Sequence, residues 1–152
     1  DTSKVTSMSF MFSLCSGLTS LNLSSFDTSQ VTGMAWMFCG CSSLTSLDVS
    51  SFDTSQVTSM DTMFSNCRSL TSLDLSHFDT SQVTDMSEMF SDCRSLTSLD
   101  FRSATFGSVT NYHSMFFSAL STIQITVKDA EAQSWIQERL SEEGYTGTVI
   151  IA

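Results

Sequence analysis

Apolar and polar positions alternate along this chain in a pattern that returns every 26 residues. Within one period two rhythms follow each other. Leu70, Leu73 and Leu75 are spaced L-x-x-L-x-L, and Leu73-Asp74-Leu75 alternates in, out, in, which predicts a short strand. Met60, Met63, Phe64 and Cys67 recur at i, i+3, i+4 and i+7, which predicts a short helix or 3-10 segment with Thr58 as its cap and Asp61 completing a capping box. Phe52 and Val57 bracket an extended arc, Asp53-Thr54-Ser55-Gln56, between strand and helix.

Aligning the copies makes the period plain. Asp27–Phe52 and Asp53–Phe78 share 18 of 26 positions. Asp1–Phe26 and Asp79–Ala104 are further copies, and Thr105–Ala130 is a degraded fifth that keeps Val109, Met115 and Phe116. One unit of strand, arc and helix cannot bury its own apolar face, but stacked units can. The expected fold is therefore an α/β solenoid, a right-handed coil of leucine-rich-repeat type over residues 1–127. It has a parallel sheet and ladders of like residues in its core. One ladder is Leu21, Leu47, Leu73, Leu99 and Ile125; others run from Met11 to Met115 and from Phe12 to Phe116.

After Val127 the period stops, and residues 128–152 are expected to form a C-terminal cap. Asp129 can cap a helix of about 129–142, with Ala132, Trp135, Ile136, Arg139 and Leu140 on one face and Gly144 just past its end. Residues 147–151 follow as a strand. With Ile123–Val127 this makes a β-α-β unit in which Trp135 covers the last core layer. The chain starts at Asp1, at a repeat boundary, and reads as a piece of a longer protein whose first unit lacks a cover. Self-association through that uncapped unit is expected.

Composition narrows the function. The net charge is -10, from 16 Asp and Glu against 6 Lys and Arg. That argues against a nucleic-acid partner and against docking on an anionic membrane. No apolar run approaches the roughly 20 residues of a membrane span. Cys15, Cys41, Cys67 and Cys93 share one position, which Ala119 takes in the fifth copy, so they are expected to be packing residues in reduced form. Cys39, whose equivalents are Ser13, Ser65 and Ser91, is expected to be an exposed reactive thiol. Nothing has the spacing of a metal site, and no cofactor is implied. The many serines fall at repeated positions and His77 and His113 lie far apart in the pattern, so an enzyme is not expected.

Candidate binding residues lie in outward rows. Asn22, Asp48, Asp74 and Asp100 form one row on the strands, with Ser24, Ser50, Ser76 and Arg102 beside it on one side and Ser20, Ser46, Ser72 and Ser98 on the other. Three carboxylates one unit apart repel each other, which a cation or a basic partner would relieve. A solvated polar face is the alternative. A second row, Asp1, Asp27, Asp53 and Asp79, suits turn and capping roles. Phe10, Trp36, Thr62, Glu88 and Ser114 are equivalent and expected to face outward, so Phe10 and Trp36 would form an exposed aromatic pair.

The motif F-D-T-S-x-V-T-x-M-x-x-M-F-x-x-C-x-x-L-x-x-L-D-L-S resembles the BspA-type leucine-rich repeats of bacterial surface proteins, over about Asp1 to Phe106. The resemblance implies a secreted or wall-anchored bacterial protein whose repeats contribute to adhesion, with host extracellular-matrix or other surface proteins as partners. It implies no catalytic residues. The alternative is a structural spacer or stalk with no ligand of its own.

Overall fold

The computed structural model describes all of residues 1–152. It is an α/β fold with four strands and one helix: β1 (Ser72–Asp74), β2 (Ser98–Phe101), β3 (Gln124–Val127), α1 (Ala130–Glu142) and β4 (Thr148–Ile151). The strands form one parallel sheet in the order β1-β2-β3-β4. Leu73 pairs with Leu99 and Leu99 with Ile125, so the register preserves the 26-residue equivalence. Their side chains are buried while Ser72, Asp74, Ser98 and Gln124 face outward or lie at the surface.

The strands expected in the first two copies do not form. Around Leu21–Leu23 and Leu47–Val49 the backbone forms no strand pairing. Side chains take the carbonyls there: Ser51 Oγ donates to Leu23 O at 3.0 Å, and His77 Nε2 lies 2.8 Å from Val49 O. A gap of about 270 Å³ lies beside Leu21, Asn22, Asp48 and Ser51.

The expected short helix or 3-10 segment takes the form of a run of turns that keeps alternate i to i−3 bonds without a continuous helix. Met60, Met63, Phe64 and Cys67 are buried together, but residues 61–66 form consecutive turns. Backbone amides alternate between two uses. Met63, Ser65 and Cys67 donate to the carbonyl three residues back; Met60, Thr62, Phe64 and Asn66 donate to Asp85, Ser87, Met89 and Ser91 of the next copy. The same four-bond ladder joins every consecutive pair of copies, starting with Met8, Phe10, Phe12 and Leu14. This geometry puts a left-handed residue at Thr62 (φ 57) and Asn66 (φ 59) and at their equivalents. Thr, Ser, Asn and Asp have weak helix propensity, and inter-copy bonds satisfy amides that a helix would have used internally.

The core repeats in the same register. Phe12, Phe38, Phe64, Phe90 and Phe116 stack with ring centroids 5.6–5.9 Å apart. Buried Thr28 both donates to Asp53 O and accepts from Asp53 N, and Thr80 does the same with Thr105. The thiols of Cys41, Cys67 and Cys93 donate to the carbonyls of Phe12, Phe38 and Phe64. All five cysteines are free. Burial pushes the Cys41 thiol up to about 11 and Cys93 up to about 12. The expectation for Cys39 is reversed: it is 4% exposed, like Ser65 and Ser91 at its position. The exposed thiol is Cys15, in the first copy.

A helix and a final strand follow the repeats. Asp129 accepts from Ala132 N at 2.9 Å and starts α1, and Gly144 (φ 79) follows its end. β4 pairs in parallel with β3. Gly147 is required where the chain turns back, because a Cβ there would lie 2.8 Å from Ile123 O.

Candidate functional site

The strand-end row is largely committed to its own backbone. Asn22, Asp48, Asp74 and Asp100 each accept, through Oδ1, from the amide two residues on: Ser24, Ser50, Ser76 and Arg102. Such a turn fixes the chain as it leaves the strand. Bonds from Ser50 and Ser76 hold the carboxyls of Asp48 and Asp74 below the usual range. Arg102 also pairs with Asp100 through its guanidinium. The repulsion expected along this row is thus outweighed by local bonds. Asp27, Asp53 and Asp79 make the same turns with Ser29, Ser55 and Ser81.

The aromatic pair is brought together at the surface. Phe10 and Trp36 stack with centroids 5.6 Å apart, and they are 59% and 37% exposed. Trp36 Nε1 donates to Asp61 Oδ2 at 3.0 Å, which fixes the indole. Their row is not outward throughout, since Thr62 is buried. Phe10 and Trp36 have φ of 63° and 62°, as do Thr62, Glu88 and Ser114 within about ten degrees. The repeat therefore imposes the left-handed backbone, and large aromatic residues occupy it at a cost of about 1–3 kcal/mol each.

Two further residues extend this patch. Met11 is exposed, and Leu14 is 76% exposed at φ 61. Leu14 lies over Gly40, where a Cβ would come within 2.9 Å of Leu14 Cδ2. The equivalents of Leu14 are Gly40, Asn66, Asp92 and Ser118, all residues suited to a left-handed turn. An apolar side chain in that series was the available signal.

Other chemistry-bearing groups are dispersed. His77 faces Val49 O, whereas His113 bonds Asn111 and lies 3.6 Å from Glu88. No three His, Cys, Asp or Glu side chains gather as a metal site would need. No helix is long and apolar enough to cross a membrane.

Residues 6–129 match the family model described as Mycoplasma protein of unknown function, DUF285. The chain belongs to this family. The match takes in the aromatic patch, the row from Asn22 to Asp100, and Asp27, Asp53 and Asp79 of the second row, and it ends at Asp129, the residue that caps α1. The DUF285 region is thus the repeating part, while α1 and β4 lie beyond it. No curated protein and no solved structure matches the chain at a significant level.

Proposed function

We propose that this DUF285 protein is a solenoid of leucine-rich-repeat type that acts as a protein-binding or adhesion module of a bacterial cell surface. The observation that carries the reading is the stacked pair of Phe10 and Trp36. It places exposed apolar side chains on neighbouring copies, on a backbone held rigid by the inter-copy ladder. Aromatic anchors on a rigid support are what a protein interface uses at its energetic centre. The repeated equivalence of strands, turns and core ladders supports the solenoid reading. The BspA-like motif supports the surface location.

The strand face, Asn22 to Asp100 with Ser24, Ser50, Ser76 and Arg102, is the second candidate surface. Its side chains already serve local turns, and that observation favours the spacer alternative for this face.

Binding of the whole chain to immobilised extracellular-matrix proteins tests the proposal. The double variant Phe10→Ser, Trp36→Ser should lose binding by about tenfold or more, as for an interface hot spot. Asp74→Lys should change it less. No binding above background to any matrix protein would favour the spacer.

A further inference from the structure

The inter-copy ladder has a direction, and its last row of donors is left open. In each of the first four copies, four amides of the turn run reach the carbonyls of the following copy; Met86, Glu88, Phe90 and Asp92 reach Asn111, His113, Met115 and Phe117. The corresponding amides of the fifth copy are Tyr112, Ser114, Phe116 and Ser118. Those of Tyr112, Ser114 and Ser118 have no acceptor within the chain. Phe116 N has one of an unusual kind: Glu143 Oε1, at 3.3 Å, from the residue that ends α1. A carboxylate stands where a neighbouring copy would supply a carbonyl. Burial raises the Glu143 carboxyl above its ordinary value, and the Phe116 amide offsets only part of that.

Tyr112 and Ser114 border a half-open groove of about 530 Å³ between the fifth copy and the end of α1, and Ser118 continues the same donor edge beyond it. Phe117, 55% exposed, and Tyr145 give it apolar walls. Arg139, also on its wall, has its charge taken up by Glu138 and Glu142. The open groups on the ladder edge are donors, so the occupant must offer acceptors at alternate positions along a line. A main chain in the turn conformation of the repeat does this, as Ser59–Ser65 does for Met34, Trp36, Phe38 and Gly40.

We infer that this groove docks a short segment of a partner polypeptide that takes up the turn conformation of the repeat, its main-chain carbonyls pairing with the amides of Tyr112, Ser114 and Ser118. A second copy of this chain does not fit as the occupant. α1 fills the adjoining layer, stacked through Trp135 on Phe106 and through Arg139 on Tyr112, so only a slender segment can reach the open amides. Glu143 partly imitates the ligand and competes with it. The groove is separate from the aromatic patch, so the outcome of the matrix-binding experiment does not bear on it.

The test uses the whole chain and a blocked heptapeptide with the sequence of Ser59–Ser65. Within the protein that segment's carbonyls at Ser59, Asp61, Met63 and Ser65 accept from Met34, Trp36, Phe38 and Gly40. Amide hydrogen exchange is followed residue by residue. Saturating peptide should slow the amides of Tyr112, Ser114 and Ser118 by about tenfold and leave Met34 to Gly40 unchanged. Glu143→Ala should bind the peptide more tightly and add Phe116 to the protected set. Glu143→Gln, which keeps the oxygen acceptor, should bind as the unaltered protein does. Unchanged exchange at millimolar peptide would overturn the inference. So would equal slowing by acetate alone, which would mark a simple anion site, or a folded Glu143→Ala protein with no gain in affinity.

Discussion

Phe106 lies flat against Trp135, with ring centroids 4.6 Å apart and planes 6° from parallel. Phe106 occupies the position of Thr28, Thr54 and Thr80, whose hydroxyls each bond the backbone of the next copy. Exchanging that hydroxyl for an aromatic ring ends one kind of contact and starts another. The departure from the repeat is itself the seat of the cap.

Trp135→Ala should therefore destabilise the chain by about 2–3 kcal/mol, less than the roughly 3–5 kcal/mol of truncating a fully buried aromatic ring, because the indole is only partly buried. It also removes one of the two rings that flank Arg139. Urea unfolding would show the loss as a lower midpoint. Phe10→Ser, at the exposed end of the aromatic pair, should shift the midpoint far less.

The thiols should divide by burial. In native protein a thiol reagent should label Cys15 rapidly, and Cys39, Cys41, Cys67 and Cys93 only after unfolding. Because the folded-state values of the buried thiols lie above the ordinary value near 9, their contribution is complete below about pH 9 and is lost as pH rises toward 11. Cys41→Ala should make that alkaline decline shallower, and Ala119 shows that alanine is accommodated at the equivalent position.

The carboxylates act in the opposite direction. Asp27, Asp48, Asp53, Asp74 and Asp85 are all held below the ordinary 3.8, so their stabilisation is present above about pH 4 and is lost as pH falls through their lowered values. Asp74→Ala should flatten the acid limb of a stability–pH curve, while Asp74→Asn, which keeps Oδ1, should preserve much of the neutral-pH stability. Millimolar calcium should leave Tm unchanged. Side chains that each serve a separate turn do not provide the roughly 6–8 converging oxygens that calcium prefers.

The period, the buried ladders and the cap were legible because each depends on spacing and residue class alone. The turn run was not. Successive i to i−3 turns bury Met60, Met63, Phe64 and Cys67 at the spacing a helix would use, so periodicity could not separate the two. The better guide was the series Leu14, Gly40, Asn66, Asp92 and Ser118, four of which are typical left-handed turn residues. Cys39 was misplaced for a related reason. A lone cysteine among serines suggested exposure, but Ser65 and Ser91 are themselves buried in the tight turns. The aspartate row lies at the surface, but its bonds to residues two places on lie beyond what a list of outward positions can show.

The ladder between turn runs makes the length of this molecule adjustable in whole steps. Trp36 N now meets Asp61 O, and Thr62 N meets Ser87 O. Removing Asp53–Phe78 as a block would bring Trp36 N to Ser87 O, with Thr28 beside Asp79 and Phe38 beside Phe90. Each pair is of the kind it replaces, and the cap would be untouched. A deletion one residue shorter would turn donors toward donors and side chains out of the core. A gene carrying near-identical stretches in tandem can gain or lose such blocks by recombination, and here the outcome of each event would be a taller or shorter protein that still folds.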